Sequence, residues 1–353
     1  MKVLHTADLH IREYEDVRWQ ALQKIIELGH FEHFDVMAIC GDLFDSSADA
    51  HKLRPKIREL FNRIDFPVLI IPGNHDAGAY PEGVFLGERV TVFRDLLRPL
   101  EIEGVFFWGF PYEELLEEEV LEYLILASRN ARPDAAHVLL FHGELLDITG
   151  GWDQYGQEGR QRYLPVKLSY FESLPWRYVL AGHFHSNFSA HEFKEGGYFV
   201  YPGSPAAVTR AELGPRKVNA LELGRPPAPQ VLNTFYYQKM ELRLDPFREQ
   251  NPLYAIKDAL QDLPDNAQLL LEVGGYFNGK ALQMSEQELH RAISKFSGKR
   301  IELVKTEFRD IREILEDDLF KLFLERLEAR TLPEAERQQV LELALKAMME
   351  SQA

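Results

Sequence analysis

Cysteine is nearly absent: Cys40 is the single one in 353 residues. One thiol builds neither a disulfide framework nor a thiolate-rich metal site, and its scarcity fits a reducing, cytoplasmic setting. Long apolar runs are also missing, none reaching the roughly 18 residues of a membrane-spanning helix. The opening Met1-Lys2-Val3-Leu4-His5-Thr6-Ala7-Asp8 meets polar residues before an apolar leader core can form, so neither a signal peptide nor a membrane partner is expected. Basic residues are the minority, 40 Lys and Arg against 56 Asp and Glu, for a net charge of -16. Bulk charge of that sign argues against nucleic acid, because phosphate binding runs on Lys and Arg. It is a warning and not a veto, since carboxylates neutralised by metal and solvated C-terminal helix faces enter the same total.

What is present is a rhythm of short β-rich runs and longer amphipathic stretches, the pattern of an α/β domain. Val3-Leu4-His5-Thr6, Val36-Met37-Ala38-Ile39-Cys40, Val68-Leu69-Ile70-Ile71, Val105-Phe106-Phe107-Trp108, His137-Val138-Leu139-Leu140-Phe141 and Tyr178-Val179-Leu180-Ala181 read as buried strands. Residues 16–28 and 50–63 have helical spacing. After Ala181, aromatic runs at 188–193, 198–201 and 218–223, broken by Gly and Pro, predict hairpins completing a second sheet. The proline-rich stretch 224–229 precedes a boundary placed near 238–245, which gives a first domain over 1–238. A small α+β module over 239–306 follows, with a helix at 252–263, strands at 269–273 and 301–304, and a helix capped by Ser285 with Glu288. From Phe308 the chain reads as wholly helical, giving a third segment over 307–353. Its stripe Ile311, Ile314, Leu315, Leu319, Leu322, Phe323, Leu327 serves equally for packing on its own domain or for a partner, and a second helix opens at Thr331-Leu332-Pro333-Glu334.

The chemically loaded residues each follow a strand, where an α/β sheet presents its ligand-binding loops. They are Asp8-Leu9-His10, Gly41-Asp42, Gly73-Asn74-His75-Asp76, His142-Gly143 and Gly182-His183-Phe184-His185. Oxygen and imidazole donors without sulfur suit Mn²⁺, Fe²⁺ or Zn²⁺, and so many imidazoles argue against a pure Ca²⁺ or Mg²⁺ site. Together they can ligate two metals, with Asp42 the natural shared ligand. Two such ions lower the pKa of water and hold phosphate oxygens through in-line displacement. His75, just outside them, can stabilise developing charge or protonate the leaving oxygen.

In full and in order, D-x-H, G-D, G-N-H-[DE], a lone His and G-H-x-H resemble the calcineurin-like metallophosphoesterases. That resemblance implies a four-layer α/β/β/α sandwich with one metal on Asp8, His10, Asp42 and His185 and the other on Asp42, Asn74, His142 and His183, His75 being the catalytic acid. The blocks 4–10, 41–45 and 72–76, with Tyr201-Pro202-Gly203-Ser204-Pro205, are more closely similar to the SbcD-type DNA repair exonucleases. That implies Mn²⁺-dependent, exonucleolytic hydrolysis of DNA, with endonuclease activity left open. It further implies a capping domain after the catalytic one, and C-terminal helices docking an SMC-like ATPase; a homodimer is the default expectation. Ser46 and Ser47 after Asp45 depart from the G-D-x-x-D-R-G of protein serine/threonine phosphatases. A phosphodiesterase or phosphatase acting on a small phosphate ester or nucleotide remains the alternative, and a scaffold with an incidental site the least favoured.

No substrate-binding residue follows from any family motif. The loop from Gly150 to Gly156, with Arg160, Arg162 and Lys167, mixes aromatic and basic residues and is either a substrate contact or a solvated excursion. His30, His33, His51, His191 and His290 read as packing or surface residues, as do His5 and His137, whose strands also place them behind the ligands. Cys40 reads as an inert buried strand residue.

Overall fold

The computed structural model describes residues 1–147, 163–247 and 251–352, which divide into two compact units, Met1–Tyr237 and Gln238–Ala353. The first unit runs β1 (Lys2–Thr6), α1 (Val17–Phe31), β2 (Val36–Cys40), α2 (Ser47–Phe61), β3 (Val68–Ile71), β4 (Val90–Val92), β5 (Leu100–Ile102), β6 (Val105–Gly109), α3 (Glu117–Ser128) and β7 (Ala136–His142). It continues with α4 (Leu168–Phe171), β8 (Tyr178–Gly182), β9 (Ser189–Lys194), β10 (Gly197–Tyr201), β11 (Lys217–Glu222) and β12 (Ala228–Val231).

These strands form two sheets, ordered β12-β11-β1-β2-β3-β4 and β5-β6-β7-β8-β10-β9. Alternation along each strand sorts its side chains into two faces. Leu4, Met37, Ile39, Val68 and Ile70 face α1 and α2, meeting Trp19, Leu22, Ile25, Leu53, Ile57 and Phe61. Leu139, Phe141, Val179 and Phe199 of the other sheet meet Val120, Leu124 and Ala127 of α3 and Phe171 of α4. The remaining alternate residues, Val3, Val36, Ala38, Leu69 and Ile71 with Phe107, Val138, Leu140 and Leu180, form a third cluster drawn from both sheets. The four layers expected from the sequence therefore follow from the two-residue period. The central strands are parallel and buried on both faces, which is why they read as continuous apolar runs. The edges β4, β5 and β12 lack that signal: β12 is wholly exposed, and β4 and β5 have no buried residue.

In the second unit, β13 (Tyr236–Leu244), β14 (Ala267–Phe277) and β15 (Ile301–Asp310) form a sheet in that order. The helices are α5 (Pro252–Asp262), α6 (Gly279–Leu282), α7 (Glu286–Ser294), α8 (Arg312–Glu316), α9 (Asp318–Glu328) and α10 (Glu334–Gln352). Asn251 caps α5 ahead of Pro252, and Ser285 with Glu288 closes a capping box on α7. Two readings need correction. The last strand does not stop at Val304, and the helical segment does not start at Phe308: parallel pairing with β14 continues to Phe277↔Asp310, so cross-strand bonds override helical spacing. Helix begins at Arg312. The stripe that follows is split, with Ile311, Ile314 and Phe320 buried in a cluster with Leu345 while Leu319 and Leu322 stay exposed.

Candidate metal centre

The backbone itself marks the site. Asp8, His10, Asp42 and His183 all have positive φ, between 47° and 93°. Non-glycine residues held there cost about 1–3 kcal/mol each and persist where surrounding structure imposes them. They lie in the turns leaving the C-terminal ends of the parallel strands β1, β2 and β8, while Asn74 and His75 follow β3 and His142 ends β7. Glycine permits the close approaches that the site needs. A Cβ on Gly41, at φ 88°, would overlap the His142 ring, and one on Gly73 would overlap the Asp42 carboxylate.

Ligand-type atoms of Asp8, His10 and His185 converge, as do those of Asp8, Asp42 and His142. His10 Nε2 and His185 Nε2 face each other at 3.2 Å. His185 Nε2 is 3.8 Å from Asp8 Oδ1, and His10 Nε2 is 3.8 Å from Asp42 Oδ2. His142 Nδ1 donates to the Cys40 carbonyl at 2.8 Å, which turns Nε2 towards Asn74 Oδ1 at 2.9 Å and Asp42 Oδ2 at 3.3 Å. Asp42 Oδ2 is fully buried beside the His10 and His142 imidazoles. Backbone N–H groups orient the carboxylates: His183 N donates to both Asp8 oxygens at 2.9 and 3.1 Å, and His75 N to Asp42 Oδ1 at 3.0 Å. The His183 ring lies 5.4 Å from that of His142 and 4.9 Å from that of Tyr163.

Acceptor atoms pointed at one another in a dry interior need a cation between them. Burial opposes charge on His142, yet the Asp42 charge and hydrogen bond raise its pKa to about 10. Burial likewise opposes ionised Asp42, but the neighbouring imidazoles hold it well below the usual carboxylate range. Burial pushes Asp8 up to about 6 against the pull of His185 and His142. The donor set fits divalent ions of borderline character, nitrogen and oxygen without sulfur.

The seven predicted metal ligands and His75 thus come together around one locus. His10, Asn74, His75 and His185 line an open cleft of about 940 Å³; Asp8, Asp42 and His142 are fully buried and His183 nearly so. Among the described residues a third group joins His10, Asp45 and His75; Asp8 reaches the other two, which spacing alone did not indicate. His5 and His137 make packing contacts, His5 beside Asn219 at 3.3 Å and His137 accepting from Trp108 Nε1 at 3.0 Å. Cys40 is buried, and burial raises its thiol pKa well above the ordinary value. Of the proposed substrate loop, residues 150–162 lie outside the described residues, and Lys167 pairs with Glu117 at 2.6 Å.

Several residues given no role by sequence also support the site. Asp45 lies 3.4 Å from His10 Nδ1 and pairs with Arg12 and Arg18 at 2.8 and 3.5 Å, while its carbonyl meets His75 Nδ1 at 3.2 Å. Asp76 accepts from Gly73 N, Phe44 N and Tyr80 OH, tying the two ligand loops together. Glu212 and Arg216, each 2% exposed, lie behind His185. Asp45 had a signal in its place three residues after Asp42; Glu212 and Arg216 had none.

Residues 1–203, more than half of the chain, match the calcineurin-like phosphoesterase family, and the chain belongs to that family. It is accordingly a metal-dependent phosphoesterase, of a family that uses two divalent ions. Among curated proteins it is similar to the DNA double-strand break repair protein Mre11 of Saccharolobus solfataricus, 25% identical over 235 residues, covering 60% of this chain and 56% of that one. The match therefore spans little more than half of the relative's length. Among solved structures it is similar to a dimetal phosphatase from Danio rerio, with a TM-score of 0.39 at 11% identity over 65% of this chain and 95% of that one.

Proposed function

We propose that this chain is a DNA repair nuclease that hydrolyses phosphodiester bonds with two divalent ions, Mn²⁺ foremost, in company with an SMC-like ATPase. The observation that carries the reading is the cleft. On a chain of net charge -16, it is lined by Arg12, Arg18 and Arg210 beside Tyr163 and Tyr237, with Asp45 offsetting part of the charge of Arg12 and Arg18, a lining suited to phosphates and bases of a nucleic acid strand. The similarity to Mre11 supports the same substrate.

Asp8, His10, Asp42 and His185 would hold one ion, and Asp42, Asn74, His142 and His183 the other. When bound, such ions supply Lewis acidity, lowering the pKa of water and offsetting charge in the displacement. His75 supplies the proton for the leaving oxygen. Its Nδ1 is anchored on the Asp45 carbonyl at 3.2 Å, so Nε2 is the nitrogen that exchanges a proton in the cleft. The exposed Leu319 and Leu322 of α9 and Leu343 of α10 support a docking role for the C-terminal helices.

The test is hydrolysis of single- and double-stranded DNA with added Mn²⁺, beside bis-p-nitrophenyl phosphate. Cleavage of all three is expected. Hydrolysis of the small diester with DNA left intact would sink the nuclease reading and leave the phosphoesterase chemistry standing. Failure of the chain to bind any coiled coil of an SMC-like ATPase would remove the partner alone.

A further inference from the structure

A buried polar network lies on the side of His185 away from the proposed metals. The His185 carbonyl accepts from Ser204 N at 3.0 Å and from Arg216 Nη2, with Ser204 Oγ 3.3 Å away. Arg216 also donates through Nε to the Ser204 carbonyl at 2.9 Å and through Nη2 to Ser204 Oγ at 3.1 Å. Glu212 gathers four donors of its own: Ser204 Oγ, Val208 N at 3.0 Å, Thr209 N at 2.8 Å and Thr209 Oγ1 at 3.0 Å. Its Oε2 lies 3.9 Å from Arg216 Nη2, and its Oε1 lies 3.8 Å from His185 Nδ1.

An isolated carboxylate or guanidinium this deeply buried is costly, and removing one partner of such a pair leaves the other uncompensated. Apolar residues would fill the same volume at lower cost, so the pair needs a reason beyond packing. The orientation of His185 supplies one. Its Nε2 points at Asp8 and His10, so it ligates only as the tautomer carrying its proton on Nδ1. At 3.8 Å the Glu212 carboxylate is beyond hydrogen-bond reach of Nδ1, and its negative charge there favours the tautomer that carries the proton on Nδ1 and makes Nε2 a stronger donor. Arg216 fixes the backbone from which the ring hangs. Through Val208 and Thr209, Glu212 also ties down the segment that lines the cleft beside the ligands.

We propose that Glu212 and Arg216 are positioning residues that hold His185 in its metal-binding tautomer and orientation, and so set the affinity of the ion on Asp8, His10 and His185. This rests on the ligand assignment proposed above. Calorimetric titration of Mn²⁺ into the metal-free chain tests it, for the parent, Glu212→Gln and Glu212→Asp. The parent binds two ions. Glu212→Gln weakens one of them by ~10–100-fold and leaves the other unchanged, as loss of a group behind a ligating histidine does. The Mn²⁺ concentration for half-maximal hydrolysis of bis-p-nitrophenyl phosphate rises by the same factor, and Glu212→Asp recovers part of the loss. Should Glu212→Gln not fold, Ser204→Ala, which removes one donor to Glu212 and one acceptor of Arg216, gives the same selective weakening. Both affinities unchanged, or both lowered together, overturns the inference while the parent's two ions keep the ligand assignment. A parent that binds fewer than two ions overturns both.

Discussion

If His75 is the proposed acid, removing its imidazole separates chemistry from metal binding, although its ligand-type atoms also converge with those of His10 and Asp45. Its ring is 4.7 Å from that of His10. His75→Ala is expected to retain both ions while turnover on bis-p-nitrophenyl phosphate falls ~10²–10⁴-fold, the scale of a lost acid-base group. Loss of an ion in that variant would make His75 a ligand instead. Asp42→Ala has the opposite profile: the proposed shared carboxylate goes, and at least one ion goes with it in a Mn²⁺ titration; two ions retained would contradict the bridging role. His5 makes a third residue-level prediction. Burial lowers its pKa to about 3, against a small raising effect from the Ala181 backbone, where the unfolded chain has about 6.5. Between those values the unfolded state binds the extra proton, so stability is lost as pH falls from about 6.5 towards 3, by at most ~1.4 kcal/mol per pH unit from this group. Urea unfolding at stepped pH should show this slope, and His5→Asn should flatten it. An unchanged slope would mean that His5 does not carry that dependence.

At the scale of elements, the sequence was most informative where structure is local. Strands β2 and β3 begin and end where their apolar runs do, because parallel strands buried on both faces need unbroken hydrophobicity. The ligand motifs were legible because each occupies one turn after one strand. What was illegible depends on long-range pairing. Nothing within four residues of Glu212 announces that its carboxylate will face His185, and the extension of β15 to Asp310 is set by β14, more than thirty residues earlier. The same distinction governs the C-terminal helices. Phe320 is fully buried against Ile311, Ile314 and Leu345, which join α9 to α8 and α10. Phe320→Ala should cost ~3–5 kcal/mol, seen as loss of protection from hydrogen exchange across 312–352. Hydrolysis of the small diester should be unchanged, since the ligand residues all lie in the first unit. Lost hydrolysis would show that the helices support the metal centre as well.

At the scale of the molecule, metal and fold are linked through the carboxylates buried at the centre. Asp8 and Asp42 are both fully buried beside imidazoles whose nitrogens crowd one another. Ions that bind the folded chain and not the unfolded one stabilise it by mass action, about 2.7 kcal/mol for one ion at a hundredfold excess over its Kd. For a unit of this size each kcal/mol moves Tm by roughly 2–4 °C, so one ion is worth about 5–10 °C. Melting the chain with EDTA and then with rising Mn²⁺ should show such an upward shift, greater than any shift caused by Ca²⁺, whose preference for all-oxygen coordination is poorly met by four imidazoles. In Asp42→Ala the Mn²⁺-dependent rise should shrink or vanish. A chain whose Tm ignored both EDTA and Mn²⁺ would contradict the metal centre as a whole.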